Sequence, residues 1–440
     1  LAVGAAFAAR GGRRCGRPPM KWWSAIKENK LIRNLAIFLA VLGPGIITGS
    51  VDNDAGGITT YSVAGAKYGY TLLWTLIPSF IALLVVQEMN ARMGIVTGKG
   101  LADLIRENFG VRITFFIFLG LVTADIGNTA TEFAGVAGSL GVFDVSKYLS
   151  VPLTALFVWF LVLKGNYKIT ERIFLFFSVC LLSYVVSAVM AKPDLKQVAV
   201  GFIKPEMHFD GDYLSMVIGL IGTTIAPWMQ FYMQSAVIEK KIKIGEYRFA
   251  FLDVLVGCIA TVVVATFIIV ACAATLHVNG IKIEEAKDAA VALRPFAGRF
   301  AGDVFAFGLF VASVFSATIL PLATAFYVCE AFGFDAGLDK TWKDAPQFYG
   351  LLAFIISVAC GIILIPGAPL IAITLWSQVL NGVLLPVVLY SMIRMVNDRR
   401  IMGEYVNNKF QNIVGWTTTI SMIALTILLI FTSVRDWLHT

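Results

Sequence analysis

Charge is scarce in this chain of 440 residues: 14% of positions are Asp, Glu, Lys or Arg, while 58% are hydrophobic. That balance excludes an ordinary soluble domain, which needs far more charge to cover its surface, and the apolar runs exceed the length of core helices. Histidine is rarer still. His208, His277 and His439 all lie outside the apolar runs, which argues against a buried histidine-based metal or proton site. The six cysteines, Cys15, Cys180, Cys258, Cys272, Cys329 and Cys360, show no CxxC or other ligand-like spacing. Most lie in apolar stretches and read as small packing residues rather than disulfides or thiolate ligands. No nucleophile–base arrangement is visible, so an enzyme is disfavoured. The net charge of +7 does not indicate nucleic acid, because the basic residues cluster in short segments between apolar runs. That is how a membrane protein records its orientation.

What is present is a series of apolar stretches near 20 residues long. Eleven membrane spans are expected, at about 34–66, 70–91, 112–139, 149–163, 171–191, 212–237, 247–274, 302–332, 347–366, 369–392 and 416–433. Residues 1–9 are apolar but precede the basic run Arg10, Arg13, Arg14 and Arg17, the wrong order for a signal peptide. Residues 1–33 therefore read as a basic cytoplasmic tail. Arg92, Lys99, Arg106 and Arg112 follow the second span; Lys164, Lys168 and Arg172 follow the fourth. Lys240, Lys241, Lys243 and Arg248 follow the sixth, and Arg394, Arg399 and Arg400 the tenth, with Asp398 among them. All fall on the side of the N-terminal tail, whereas loops 192–211 and 275–300 on the other side are longer and mixed in charge. An odd number of spans puts the C-terminus outside. The expected organisation is the tail 1–33, a ten-helix core 34–392, and residues 393–440 as an inner loop, an eleventh helix and a short external end.

Two spans do not read as simple helices. The first carries Asp52, Asn53 and Asp54 beside Gly56 and Gly57. Charge is expensive at membrane depth and glycine weakens a helix. The sixth contains Pro227 near its middle, which removes an amide donor and leaves a carbonyl without its helical partner. Broken helices are tolerated in a membrane where they line a polar cavity, and such pairs mark a midplane binding site. Breaks in spans one and six are what two inverted five-helix repeats would give. The architecture is that of an all-α transporter.

Asp54 is the leading site residue, because a carboxylate at a helix break needs a cation or another partner; a helix cap or internal ion pair is the bland alternative. Asp52 and Asn53 divide between capping, water-mediated binding and direct ligation. Carbonyls at Val51 and Ala226 would add hard oxygen ligands where the helices unwind, which suits Mg²⁺, Ca²⁺ or Mn²⁺. Met229 and Met233 read as packing. In span three Asp125 and Glu132 are seven residues apart, two turns on roughly one face, with Asn128 and Thr129 between them. They suggest a water-filled path or a supporting cluster, with Glu132 at the site or its vestibule. Gln378 and Asn381 in span ten, and Gln230 and Gln234 in span six, either orient water around an ion or bond across helices. One or two acids with amides and carbonyls fit a partly hydrated Mg²⁺, which gives up water reluctantly.

These breaks resemble those of the Nramp family of divalent-metal transporters. The family's aspartate-proline-glycine-asparagine run is matched by Asp54, Ala55, Gly56 and Gly57, followed by Ala64, Gly65, Ala66, Lys67, Tyr68 and Gly69. Its methionine-proline-histidine run is matched by Ala226, Pro227 and Trp228. Its tyrosine-leucine-histidine-serine-alanine is matched by Tyr232, Met233, Gln234, Ser235 and Ala236, with the local spacing one residue longer here. Ser377, Gln378 and Val379 match a serine-glutamine-valine run. The departures fall at the site itself. The metal-binding asparagine falls at Gly57, the soft methionine at Ala226, and the two sixth-helix histidines at Trp228 and Gln234. In span three Thr131 to Gly135 keeps one acid, Glu132, of the family's pair. This combination resembles the Nramp-related magnesium transporter branch. The resemblance implies a LeuT-type fold with two inverted five-helix repeats plus an eleventh helix, with helices 1 and 6 discontinuous. It also implies alternating access, Mg²⁺ and Mn²⁺ as substrates, a wider cavity for a partly hydrated ion, and no proton coupling. Loss of the histidines independently removes the groups that ordinarily titrate near neutrality.

The metal-site set expected from all this is Asp54, Val51, Ala226, Glu132, Gln378, Gly57, Asn53, Thr129 and Gln230. No cofactor is expected, the transported ion being the substrate. The partners are divalent ions and the bilayer, with a monomeric transport unit in a bacterial inner membrane. A proton-coupled Mn²⁺/Fe²⁺ importer is the nearest alternative. An amino-acid or other organic-solute symporter lacks an evident basic residue at the site, and a channel lacks a repeated carbonyl filter.

Overall fold

The computed structural model describes residues 43–164, 183–283, 299–337 and 340–439. The basic tail, the first residues of span one, the start of span five and most of loop 275–300 lie outside them. The described residues form helices α1 (Pro44–Val51), α2 (Ala55–Tyr68), α3 (Leu76–Thr97), α4 (Leu101–Gly141), α5 (Lys147–Lys164) and α6 (Ser183–Met190). There follow α7 (Leu195–Ile203), α8 (Gly211–Thr224), α9 (Pro227–Glu239), α10 (Tyr247–Cys272) and α11 (Arg299–Phe332). The last are α12 (Pro346–Leu364), α13 (Leu370–Val396), α14 (Arg399–Met402) and α15 (Lys409–His439). Eight helical stretches among the described residues are long and apolar enough to cross a membrane. The broken pair α1–α2, the shorter α5 and α6 fall at the other three expected spans, the first part of the fifth lying outside the described residues.

Both breaks follow from local chemistry. Span one stops at Val51, and Asp54 adopts extended backbone as the N-cap of α2, its side chain accepting from the Gly57 amide. A short acid at this position satisfies a donor the helix leaves open. Span six stops at Thr224. Ala226 is extended, as a residue before proline prefers to be, and Pro227 takes the first position of α9, where its missing N–H costs nothing.

The half-helix α1 is seated directly on α10. Cβ atoms placed at Gly49 or Gly257 would fall within 2.5 and 2.1 Å of backbone oxygens on the facing helix, so only glycine permits this approach. At its N-terminus the amides of Gly43, Gly45 and Ile46 donate to the Asp253 carboxylate of α10, at 3.0, 2.6 and 3.4 Å. Asp253 thus caps a helix two hundred residues away.

Three features correct the sequence reading. The second span runs on to Thr97, so Arg92 is not a loop residue; it is buried and paired with Glu88 one turn earlier. The third helix begins at Leu101 rather than near 112, with a kink at Gly110, whose φ of 78° suits glycine. Loop 192–211 contains α7, capped by Asp194.

Candidate metal site

The break before α2 brings α2, α4 and α13 together around Asp54. Asp54 Oδ1 accepts from Gly57 N at 2.6 Å. Glu132, fully buried in α4, accepts from Ala55 N at 3.1 Å through Oε2. Its Oε1 meets no hydrogen-bond partner among the described residues, and its carboxyl adjoins that of Asp54. On the opposite side, the Gln378 carboxamide of α13 lies so close to Gly56 that a Cβ there would be 2.1 Å from Nε2. That Cβ would also be 3.1 Å from Asp54 Oδ1, so Asp54 and Gln378 flank one glycine. Asn53 donates to the Gly49 carbonyl at 3.4 Å, and its Oδ1 is buried without a hydrogen-bond partner among the described residues. Gly57 packs over the Asp52 carbonyl, where a Cβ would be 2.7 Å away.

The structure thus brings Asp54, Glu132, Asn53, Gly57 and Gln378 to one place, with Val51 closing α1 beside them. Other expected residues are engaged elsewhere. Thr129 donates to the Asp125 carbonyl at 2.7 Å. Gln230 accepts from Asn90 and donates to the Ala226 carbonyl at 3.2 Å. That carbonyl also receives the Met229 amide at 3.2 Å. Gln234 reaches the Lys99 carbonyl at 2.7 Å. Met233 receives the Thr48 hydroxyl on its sulfur at 3.8 Å, a packing contact.

Asp125 and Glu132 share a helix face but not an environment. Asp125 accepts from Tyr327 at 2.5 Å and Thr324 at 2.8 Å, both on α11, and from Asn128 at 3.1 Å. Asn128 in turn accepts from Ser377 and Asn381, each at 2.9 Å, and Asn381 donates to Gln378 Oε1 at 3.0 Å. The chain of bonds therefore runs from α11 through α4 to the glutamine beside Asp54. Every member is paired, which fixes the Gln378 carboxamide in orientation.

The sequence reading underweighted Asp52. It is 1% exposed, and neither carboxylate oxygen has a hydrogen-bond partner among the described residues. Asp253 is a further functional residue that the sequence motifs do not single out; its signal is an acid within the apolar run of span seven.

A cavity of about 440 Å³ lies on the side of the basic loops. Lys99, Asp103, Ser235, Glu239 and Glu330 line it, and it reaches up to Ile47 and Tyr232. Ile47 is one turn from the break at Val51. Asp54, Glu132 and Gln378 are not in its wall, so protein closes the break off from this vestibule. Among the described residues no group of three or more His, Cys, Asp and Glu side chains forms a chelating cluster.

The family model described as Nramp, natural resistance-associated macrophage protein-like, matches residues 45–432. A divalent metal cation transporter MntH of Bacillus subtilis is 26% identical over 416 residues, covering 92% of this chain and 95% of the relative. One of the same name from Deinococcus radiodurans is 26% identical over 408 residues, covering 89% and 90%. Among solved structures, the manganese transporter of Eremococcus coleocola superposes with a TM-score of 0.72 at 21% identity, covering 95% of this chain and 88% of that one. Mhp1, a nucleobase-cation-symport-1 family transporter, gives 0.55 at 12% identity, covering 89% and 93%. These two likenesses are of fold, and the fold is the LeuT type, with two inverted five-helix repeats and an eleventh helix. With the family model spanning nearly the whole of the described chain, this protein belongs to the Nramp family.

Proposed function

We propose that the protein carries Mg²⁺, and Mn²⁺ second, across a bacterial inner membrane by alternating access, as a partly hydrated ion and without proton coupling. The observation that carries this reading is the pair of adjoining carboxylates, Asp54 and Glu132, with the Asn53 oxygen beside them, all hard oxygens, and with the Gln378 amide nitrogen placed to orient them or their water. The positions where the family resemblance expects an asparagine and a methionine hold Gly57 and Ala226. Neither position supplies a side-chain ligand, so water is left to complete the shell of the ion, and the thioether that favours softer metals is withheld. The two sixth-helix histidines are likewise replaced by Trp228 and Gln234. With the basic loops facing the cytoplasm, the vestibule beyond Ile47 is the inward exit. An inside-negative potential of roughly 100 mV would drive a divalent ion inward by about 4.6 kcal/mol. Without coupling, the electrochemical gradient alone sets direction. The transport unit is a single chain.

The relatives named manganese or divalent metal transporters make a proton-coupled Mn²⁺ importer the second reading. The test is Mg²⁺ uptake into proteoliposomes, with Mn²⁺ competition, internal pH recorded simultaneously, and Asp54→Ala as control. Saturable uptake lost in the variant, with no internal acidification, is the expected result. Acidification that tracks metal entry would replace it with the coupled reading, and absence of metal flux would overturn both.

A further inference from the structure

The loop between α13 and α15 forms a basic pocket that no transport step uses. It is open to solvent, measures about 540 Å³, and is lined by Arg394, Asn397, Asp398, Arg399, Asn412 and Trp416. Two helices build its floor. Asn397 near the end of α13 and Asn412 at the start of α15 exchange reciprocal bonds of 2.7 and 3.0 Å, and Asn407 adds a third to Asn412 at 3.0 Å. The pocket therefore has a fixed shape rather than being a gap between mobile side chains.

Its charge is unbalanced. Asp398 is the one acid in the wall, and Arg400 takes it up in a two-pronged pair, 2.7 Å to one oxygen and 3.1 Å to the other. That guanidinium holds the Asp398 carboxyl below the usual carboxylate range. Arg394 and Arg399 are exposed, and neither has a carboxylate partner among the described residues. Two arginines thus face a solvent-open pocket whose acid is already neutralised. Guanidinium groups bind phosphate oxygens bidentately. Asn397 spends both amide hydrogens on Asn412 and the Ile393 carbonyl and so shapes the floor, while Asn412 gives one of its two to Asn397.

The surroundings are apolar on one side. Trp416 packs edge-to-face against Tyr390 of α13, ring centres 6.1 Å apart, and both remain partly exposed. Away from the pocket the two helices present Val387, Ile413 and Ile420 outward. Indole and phenol rings between a charged layer and an apolar stripe mark the headgroup level of a bilayer. Arg394 is on the last turn of α13, and this end carries the same sign of charge as the other basic loops.

We propose that this pocket binds the phosphodiester headgroup of an anionic phospholipid, with Arg394 and Arg399 on the phosphate, Asn397 and Asn412 at its edge, and an acyl chain running past Trp416 and Tyr390. A free phosphate offers the same oxygens but nothing for the aromatic and aliphatic wall. The two sources therefore separate experimentally.

The experiment uses the full chain in detergent. Melting temperature is followed while phosphatidylglycerol, cardiolipin, phosphatidylcholine or inorganic phosphate is added, and lipid retained on the protein is counted by native mass spectrometry. The anionic lipids should raise the melting temperature and remain bound; phosphatidylcholine should do neither. Arg394→Gln and Arg399→Gln are made singly and together, so that a folding defect in the double variant leaves the comparison intact. Each substitution should weaken anionic-lipid binding about fivefold, with little change in melting temperature in lipid-free detergent. Equal lipid responses in the wild type and the single variants would overturn the proposal. A phosphate response as large as the lipid response would also overturn it, by making the site one for a soluble anion.

Discussion

The backbone amide of Ala55 donates to Glu132 Oε2 at 3.1 Å, so an acid of α4 holds the first residue of the half-helix that Asp54 caps. The two carboxyls therefore do different things with their oxygens. Each spends one on a backbone amide at the start of α2, and the Oε1 of Glu132 is left without a hydrogen bond among the described residues. Glu132→Gln keeps an acceptor for Ala55 and removes the second negative charge. Its melting temperature should stay near wild type while its apparent Mg²⁺ affinity falls at least roughly tenfold, the factor corresponding to ~1.4 kcal/mol of lost attraction. Glu132→Ala removes the acceptor as well. A buried N–H without a partner costs about 1–3 kcal/mol, so this variant should also melt earlier.

Gly56 separates Gln378 from Asp54. A methyl group there meets the Gln378 amide at 2.1 Å, and that amide is the end of a flexible side chain rather than backbone. Gly56→Ala should therefore fold and should displace Gln378 from its bonds to Asn381 and Ser377. Mg²⁺ uptake should fall mainly through a raised KM. Adding Gln378→Ala to Gly56→Ala should cost much less than Gln378→Ala alone, because residues in contact are not additive. Full additivity in the uptake cycle would show that Gln378 does not act at this position.

Both helix breaks were legible in the sequence, because their causes are local: a run of acid, amide and acid in one span, and a proline in the other. The partners of the residues there were not. Asp125 and Glu132 lie on one face by helical arithmetic, yet two turns of rise, about 10 Å, set them against different neighbours. One meets Thr324 and Tyr327, the other the start of α2. Asp253 caps a helix far away in sequence, a relation with no one-dimensional signal. Arg92 reads as a loop charge because a basic residue ordinarily ends an apolar span, whereas the helix continues and buries the charge against Glu88.

Ala226 offers a direct test of selectivity. It is 2% exposed, with extended backbone immediately before Pro227. Ala226→Met would bring a thioether to the break without changing the proline that makes it. Softer ions gain from sulfur and Mg²⁺ does not. In proteoliposomes Cd²⁺ should become a stronger inhibitor and Mg²⁺ uptake should fall, with Mn²⁺ between them. An unchanged Cd²⁺ to Mg²⁺ ratio in a variant that still melts like wild type would move the ion away from Ala226.

The Glu88–Arg92 pair gives a prediction about stability rather than transport. Arg92 Nε is 2.8 Å from Glu88 Oε1, and the two side chains are 7% and 5% exposed. Both carboxylate oxygens and all three guanidinium nitrogens are engaged. Tyr247 and Gln411 donate to Glu88, while Arg92 donates to Asn407 at 2.6 Å and to the Tyr405 carbonyl at 2.5 Å. The cluster joins α3, the start of α10 and the segment leading into α15. Removing one charge leaves the other buried and unpaired, which costs about 3–5 kcal/mol, whereas replacing both charges with apolar groups is often neutral. Arg92→Ala should therefore lower the melting temperature sharply, and Glu88→Leu with Arg92→Leu should lower it less, although twice as many charges are lost. Tyr247 and Gln411 temper that recovery, because the double variant strands their donors. Restoring it further with Tyr247→Phe would show that the donors, and not the ion pair itself, carry the residual cost.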